Sequence, residues 1–149
     1  MSEDARNDAL LLNNQLCFAL YAASKEIIRL YTPYLSPYGL TYTQYIVLLA
    51  LWEQDDIPVS ALGARLTLDS GTLAPLLKKL AEKGYVERAR EIHDERVVKI
   101  RLTQAGRNLK RAFLDLPQRL ACHIALPVER LMALKAELNA LTESVKVNE

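Results

Sequence analysis

The chain has 149 residues, of which half are hydrophobic and a quarter charged, the balance of one folded domain or one domain with an extra arm. Nineteen Lys and Arg against eighteen Asp and Glu give a formal charge of +1, which excludes nucleic-acid binding through bulk charge and leaves room for a local basic patch. No run of 18 apolar residues is present, so no membrane-spanning helix is predicted, and the acidic start MSEDARNDAL lacks the basic and apolar regions of a signal peptide. A cytoplasmic protein is expected. Its two cysteines, Cys17 and Cys122, have neither the spacing of a zinc site nor that of a CxxC pair. No metal or cofactor is expected.

Residues 7–32 read as one long helix. Leu10, Cys17, Tyr21, Ser24, Ile28 and Tyr31 fall near one face, with Leu16, Leu20 and Ile27 beside it. Pro33 and Pro37 are expected to end it in a loop. Thr41 followed by Gln44 fits a capping box for a helix over 42–54. Pro58 suits the first turn of a short helix through about Leu66. Asp69 caps the next helix, in which Leu73, Leu76, Leu77 and Leu80 form the apolar stripe and Gly84 follows the end. Pro75 inside it predicts a distorted first turn.

The pattern then changes. Tyr85 and Val86, followed by Val97, Val98, Ile100 and Leu102, predict two short strands around a polar tip near residues 93–95. Thr103 caps a further helix, bent or broken at Pro117. A last helix over 125–144 carries Leu131, Leu134, Leu138 and Leu141.

Helix, short helix, helix and hairpin, in that order, make a winged helix-turn-helix over residues 41–103. The fold class is mainly α. The arms, 1–40 and 104–149, are too apolar to stand alone and would bury their stripes against a second copy, forming a homodimer. A two-fold dimer presents two recognition helices to successive major grooves.

Charge agrees locally. From Lys78 to Arg111 there are 11 Lys and Arg against 5 Asp and Glu. Lys78, Lys79, Lys83, Arg88, Arg90 and Arg96 are candidates for a phosphate-facing surface. Ser70, Gly71 and Thr72 are small polar residues that permit close approach to DNA at a helix start. Arg96 at the hairpin tip suits a minor groove, with Asp94 orienting its guanidinium. Each also has a plainer reading: a solvated charge, or for Asp69 a simple cap.

The stretch VSALGARLTLDSGTLAPLLKKLAEKGYVERAREIHDERVVKIRLTQAGR resembles the DNA-binding domain of the MarR family of bacterial transcriptional regulators. KGYVER, the Asp94-x-Arg96 pair and LTQAGR carry the likeness. NNQLCFALYAASKEIIRLY, GLTYTQYIVLLALWE and LDSGTLAPLLKKL are similar to its organic-hydroperoxide-sensing OhrR subgroup, which tolerates a proline at Pro75. The resemblance implies a repressor of double-stranded operator DNA and not an enzyme.

On the residues alone, Cys17 is either a small buried core residue or a reactive thiol. Tyrosine hydroxyls near a thiol stabilise its thiolate, which attacks a peroxide to give a sulfenic acid. Tyr31 lies 14 residues after Cys17, ~21 Å away at ~1.5 Å per helical residue, so it reaches Cys17 only from an antiparallel partner helix. The resemblance implies that Cys17 is peroxidatic, that Tyr31 and Tyr42 bond to it, and that Cys122 of the other subunit resolves it as a disulfide. Phe18 and Tyr21 are then the expected walls of an apolar pocket for an organic hydroperoxide. Two other readings stay open: a regulator of this fold gated by a small aromatic ligand, and a thiol peroxidase. No His–Asp pair or Arg near Cys17 in sequence supports the peroxidase.

Overall fold

The computed structural model describes residues 7–90, 93–94 and 96–146. Helices dominate, and the chain falls into two compact units, residues 1–117 and 118–149.

In the first unit, α1 spans Leu16–Leu35 and α2 spans Tyr42–Glu53. A two-residue strand β1 (Ile57–Pro58) leads into α3 (Val59–Leu66), then α4 (Ser70–Glu82). Strands β2 (Val86–Arg90) and β3 (Val98–Leu102) follow, then α5 (Gln104–Leu109) and a 3-10 turn over Lys110–Phe113. Helix α6 (Leu116–Ala121) crosses the boundary between units, and α7 (Val128–Lys146) lies in the second.

The sequence predicts the middle of this order well. The capping box is present: Gln44 N–H donates to Thr41 Oγ1 at 3.3 Å and Thr41 N–H to Gln44 Oε1 at 3.1 Å. Asp69 caps α4 by accepting from Thr72 N–H at 2.8 Å. Gly84, at φ +75°, ends α4 in a Schellman arrangement, with Tyr85 N–H donating to Leu80 O at 3.0 Å and Gly84 N–H to Ala81 O at 2.9 Å. Thr103 caps α5 by accepting from Gly106 N–H at 3.1 Å.

Several expectations need correction. The first helix does not run from residue 7. Leu11 and Gln15 are extended, and the Asn14 and Gln15 side-chain amides donate to the Asp8 and Leu11 carbonyls, so local side-chain bonds interrupt the ladder. Nor does Pro33 end α1. It gives up one hydrogen bond in the last turn, and Ser36 N–H still donates to Thr32 O. Helix α4 runs unbroken through Pro75. After α5 the helical path tightens into the 3-10 turn, ahead of Pro117, which lies within α6. The last helix starts at Val128, after Pro127, and runs to Lys146. The hairpin also gains a strand that sequence reasoning missed, since β1 pairs with β3 through Ile57 and Ile100 in the sheet order β1-β3-β2. Ile57–Pro58 is too short to show alternation, so no periodic signal marks it. Glu95 of the expected hairpin tip lies outside the described residues.

The core of the first unit lies where α2 meets α3, α4 and the sheet. Val47, Leu48, Leu62, Leu77, Leu80 and Ile100 are each fully buried. Gln44 is a polar residue buried there, and its amide is satisfied by the capping box. Large apolar side chains are exposed on α1 (Leu16, Phe18, Tyr21, Ile27) and, in the second unit, on α7 (Met132, Leu134, Leu138).

Candidate nucleic-acid interface and thiol sites

The start of α4 presents Ser70, Gly71 and Thr72 to solvent. Both Asp69 carboxylate oxygens are engaged, one by the Thr72 N–H and the other by the Thr72 hydroxyl, each at 2.8 Å. These bonds hold the carboxyl below its ordinary value, the backbone N–H contributing most. Asp69 is therefore a helix cap, and Ser70, Gly71 and Thr72 present the helix start that it fixes. Lys78 and Lys79 are exposed further along α4.

On the wing, Arg96 is 91% exposed and Asp94 holds it at two points. Its backbone N–H donates to Asp94 Oδ1 at 3.1 Å and its Nε to the same oxygen at 3.2 Å. This pairing employs Nε and not the two Nη groups, so the guanidinium is oriented from one edge. Arg88 is exposed on β2 and its Nη2 donates to Ala74 O at 3.3 Å, tying the wing to α4. Ser70, Arg88 and Arg96 line one cleft of about 360 Å³ with Pro58, Ala74 and Val97. The structure thus brings together residues from α4 and both wing strands. Lys83 departs from expectation. Its Nζ donates to Gly39 O and, at 3.2 Å, to Gln44 Oε1, so it points into the protein's own backbone and not to a phosphate surface.

The thiols are placed differently. Cys17 is exposed in the first turn of α1, at the positive end of the helix dipole, and not buried in a core. Phe18 and Tyr21 are exposed beside it, with ring centroids 6.5 Å apart, and Lys25 Nζ lies 5.9 Å from the Tyr21 ring. Tyr31 and Tyr42 meet edge to face at 4.8 Å. Within one chain they are remote from Cys17, because Cys17 lies in the first turn of α1 and Tyr31 is 14 residues further along the same helix.

Sequence reasoning missed the third member of that cluster, Tyr45, which is 3% exposed and lies 5.7 Å from Tyr31 and 6.5 Å from Tyr42. The i, i+3 spacing of Tyr42 and Tyr45 was the available signal. Burial raises the Tyr31 and Tyr42 hydroxyls, Tyr42 adding to the effect on Tyr31, and pushes Tyr45 up to about 12. All three therefore stay protonated near neutral pH and remain hydrogen-bond donors. Tyr45 also packs on Phe113 at 5.2 Å and on Trp52 at 6.2 Å.

In the second unit Cys122 is exposed and its Sγ–H donates to Gln118 O at 3.4 Å. His123 Nδ1 lies 2.9 Å from Arg119 O, an acceptor, so that nitrogen carries the proton. Among the described residues no group of three or more His, Cys, Asp or Glu is placed to hold a metal ion, and no helix is long and apolar enough to cross a membrane.

The sequence pattern of the transcriptional regulator SarA/Rot family matches residues 29–113, more than half of the chain. The chain belongs to this family of MarR-type winged-helix regulators. Members of the SarA/Rot family are DNA-binding regulators and not enzymes. The chain is 48% identical over 127 residues to the HTH-type transcriptional regulator SarZ of Staphylococcus saprophyticus, covering 85% of this chain and 87% of that protein. It is 42% identical over 138 residues to the organic hydroperoxide resistance transcriptional regulator of Bacillus subtilis, covering 93% and 94%. In structure it is similar to AbfR of Staphylococcus epidermidis. Reduced AbfR bound to DNA superposes with a TM-score of 0.78 at 32% identity, covering 95% of this chain and 99% of that one. Disulfide-formed AbfR gives 0.64 at 33% identity, covering 95% and 99%. This SarA/Rot-family chain is accordingly a transcriptional regulator.

Proposed function

We propose that this regulator is a redox-sensing repressor. It holds double-stranded operator DNA while Cys17 is a thiol and releases it when an organic hydroperoxide oxidises that sulfur. The observation that carries the reading is the Tyr31–Tyr42 pair at one end of α1 with Cys17 exposed at the other. A second copy with its α1 antiparallel to the first brings one subunit's tyrosines to the other's thiol. The exposed apolar residues of α1 and α7 supply faces for that homodimer, with arms 1–40 and 104–149 and a DNA-binding lobe over 41–103. The place of action is the cytoplasm.

The chemistry balances in two steps. Cys17 as thiolate attacks the outer peroxide oxygen, the O–O bond breaks, and the alkoxide takes a proton and leaves as an alcohol, giving Cys17 sulfenic acid. The Cys122 thiol of the partner subunit then displaces the hydroxyl as water and forms an inter-subunit disulfide. Tyr31 and Tyr42 donate hydrogen bonds to the thiolate, while Phe18 and Tyr21 give an apolar approach that suits an alkyl peroxide. The disulfide favours an arrangement in which the two lobes no longer meet both half-sites together. On DNA, Ser70, Gly71, Thr72, Lys78 and Lys79 of α4 face the major groove and its phosphates, Arg88 braces the wing, and Arg96, aimed by Asp94, enters the minor groove.

The relatives support this reading. One is named for organic hydroperoxide resistance, and AbfR has been solved reduced on DNA and with its disulfide formed.

The test is a non-reducing denaturing gel after about one equivalent of an organic hydroperoxide, with wild type beside Cys17→Ser and Cys122→Ser. A band at twice the monomer mass in wild type, absent from both variants, is expected. Its absence from wild type, with an unchanged intact mass, contradicts the reading. DNA release that persists in Cys17→Ser would instead select gating by a small aromatic ligand.

A further inference from the structure

Lys83 lies where the end of α4 meets the turn before α2 and the cap of α2. It is the last residue before Gly84 and so closes α4, whose chain passes directly into the wing strand β2. Its Nζ reaches 44 residues back to the carbonyl of Gly39 and also meets Gln44 Oε1. Gly39 sits in the left-handed region at φ +65°, ending the turn between α1 and α2, and a Cβ there would stand 3.5 Å from Lys83 Nζ. Gln44 is 1% exposed, and the oxygen that Lys83 meets is the one that accepts from Thr41 N–H to start α2. Tyr42, which follows Thr41 in the first turn of α2, packs on Tyr31. One ammonium group therefore joins the turn beside the tyrosine cluster, the cap of the tyrosine-bearing helix, and the hinge between the recognition helix and the wing.

We propose that Lys83 is a positioning residue that ties the tyrosine end of α2 to the recognition helix, so that a displacement of Tyr42 is delivered to the DNA-contacting surface. The proposal rests on the redox reading above for its physiological trigger, but the tie itself is a property of the reduced fold. Removing the ammonium frees the end of α4 from the Thr41–Gln44 cap. The recognition helix then samples positions unsuited to the groove, and DNA affinity falls although no phosphate contact is lost. For the same reason, disturbing Tyr42 changes little once Lys83 is gone.

The experiment is a cycle of DNA affinities on the reduced, full-length protein: wild type, Tyr42→Ala, Lys83→Met and the double variant, with Lys83→Arg as the conservative replacement. The DNA is a duplex that the wild type has selected from a random pool. Each single change is expected to weaken binding several-fold, the double to weaken it no more than the stronger single, and Lys83→Arg to restore it. The slope of log affinity against log salt is expected to be the wild-type slope in Lys83→Met. Losses that multiply in the double variant within about twofold overturn the tie. So does a slope reduced by about one, which would make Lys83 a plain phosphate contact. Thermal melts accompany every variant, and Lys83→Gln replaces Lys83→Met if the latter does not fold. Adding organic hydroperoxide separates the two claims. If wild-type DNA binding ignores oxidation, the redox reading fails, while the cycle on reduced protein still decides the tie.

Discussion

Tyr31 and Tyr42 meet edge to face with ring centroids 4.8 Å apart, joining the last turns of α1 to the first turn of α2. Neither ring is near the thiol of its own chain. Their hydroxyls stay protonated because burial disfavours the phenolate, so they are standing hydrogen-bond donors, the property that the proposed function requires of them.

The proposed function predicts that removing one of these donors slows Cys17 oxidation and leaves DNA binding by the regulator largely intact. Tyr31→Phe and Tyr42→Phe are each expected to reduce the rate of Cys17 oxidation by roughly tenfold or more, a hydrogen bond to a charged group being worth about 1.5–3 kcal/mol. DNA affinity of the reduced protein should change far less. Stopped-flow loss of the thiol and a binding titration read the two effects separately.

Tyr45 gives a pH signature. Its hydroxyl is pushed up to about 12 from an ordinary value of 10.0. The folded form therefore holds this proton more tightly than the unfolded chain. The stability linked to it is fully present below pH 10 and is lost as pH rises through the folded value. An ultraviolet titration should show one of the seven tyrosines ionising after the others. That late step should vanish in Tyr45→Phe.

At the acid end the wing base behaves oppositely. Arg101 Nε donates to Asp56 Oδ1 at 2.7 Å and holds that carboxyl below its ordinary value. The linked stability is present above the unfolded value of 3.8 and is lost as pH falls through the lower folded value. Asp56→Asn should flatten the acid limb of a melting-temperature profile below about pH 4 relative to wild type.

Gly106 admits no side chain. A Cβ there would meet Tyr85 O at 2.1 Å, and its own carbonyl accepts from Trp52 Nε1 at 2.9 Å. Gly106→Ala is expected to destabilise the protein by about 1–3 kcal/mol, the range for forcing atoms into a packed site. Denaturant unfolding measures it, and fluorescence of Trp52, the chain's one tryptophan, reports the displaced contact.

Local chemistry was readable and long-range closure was not. Thr41 with Gln44, Asp69 before α4 and Gly84 after it act within a few residues, so the sequence displays the whole device. The start of α1 is not legible in the sequence, because its apolar spacing continues through residues whose backbone departs from helix, where Asn14 and Gln15 bond to carbonyls behind them. At the site, the Asp94–Arg96 pair was legible because it spans two residues. Lys83 was not, because its partners lie 39 and 44 residues away and a lysine in a basic stretch carries no mark of which way it turns.

Arg96→Ala should weaken DNA binding in reduced protein and lower the salt slope by about one, as for a lost cationic contact. Asp94→Ala leaves the Arg96 guanidinium in place and removes the carboxylate that orients it, so a loss smaller than that of Arg96→Ala is expected.

The most direct measurement is DNA occupancy by the reduced protein before and after one equivalent of an organic hydroperoxide, for wild type and Cys17→Ser side by side. The account predicts that both bind equally when reduced and that only wild type lets go, with reductant restoring it. Release from Cys17→Ser, or retention by a wild type whose Cys17 and Cys122 are shown by mass to be joined, would contradict it.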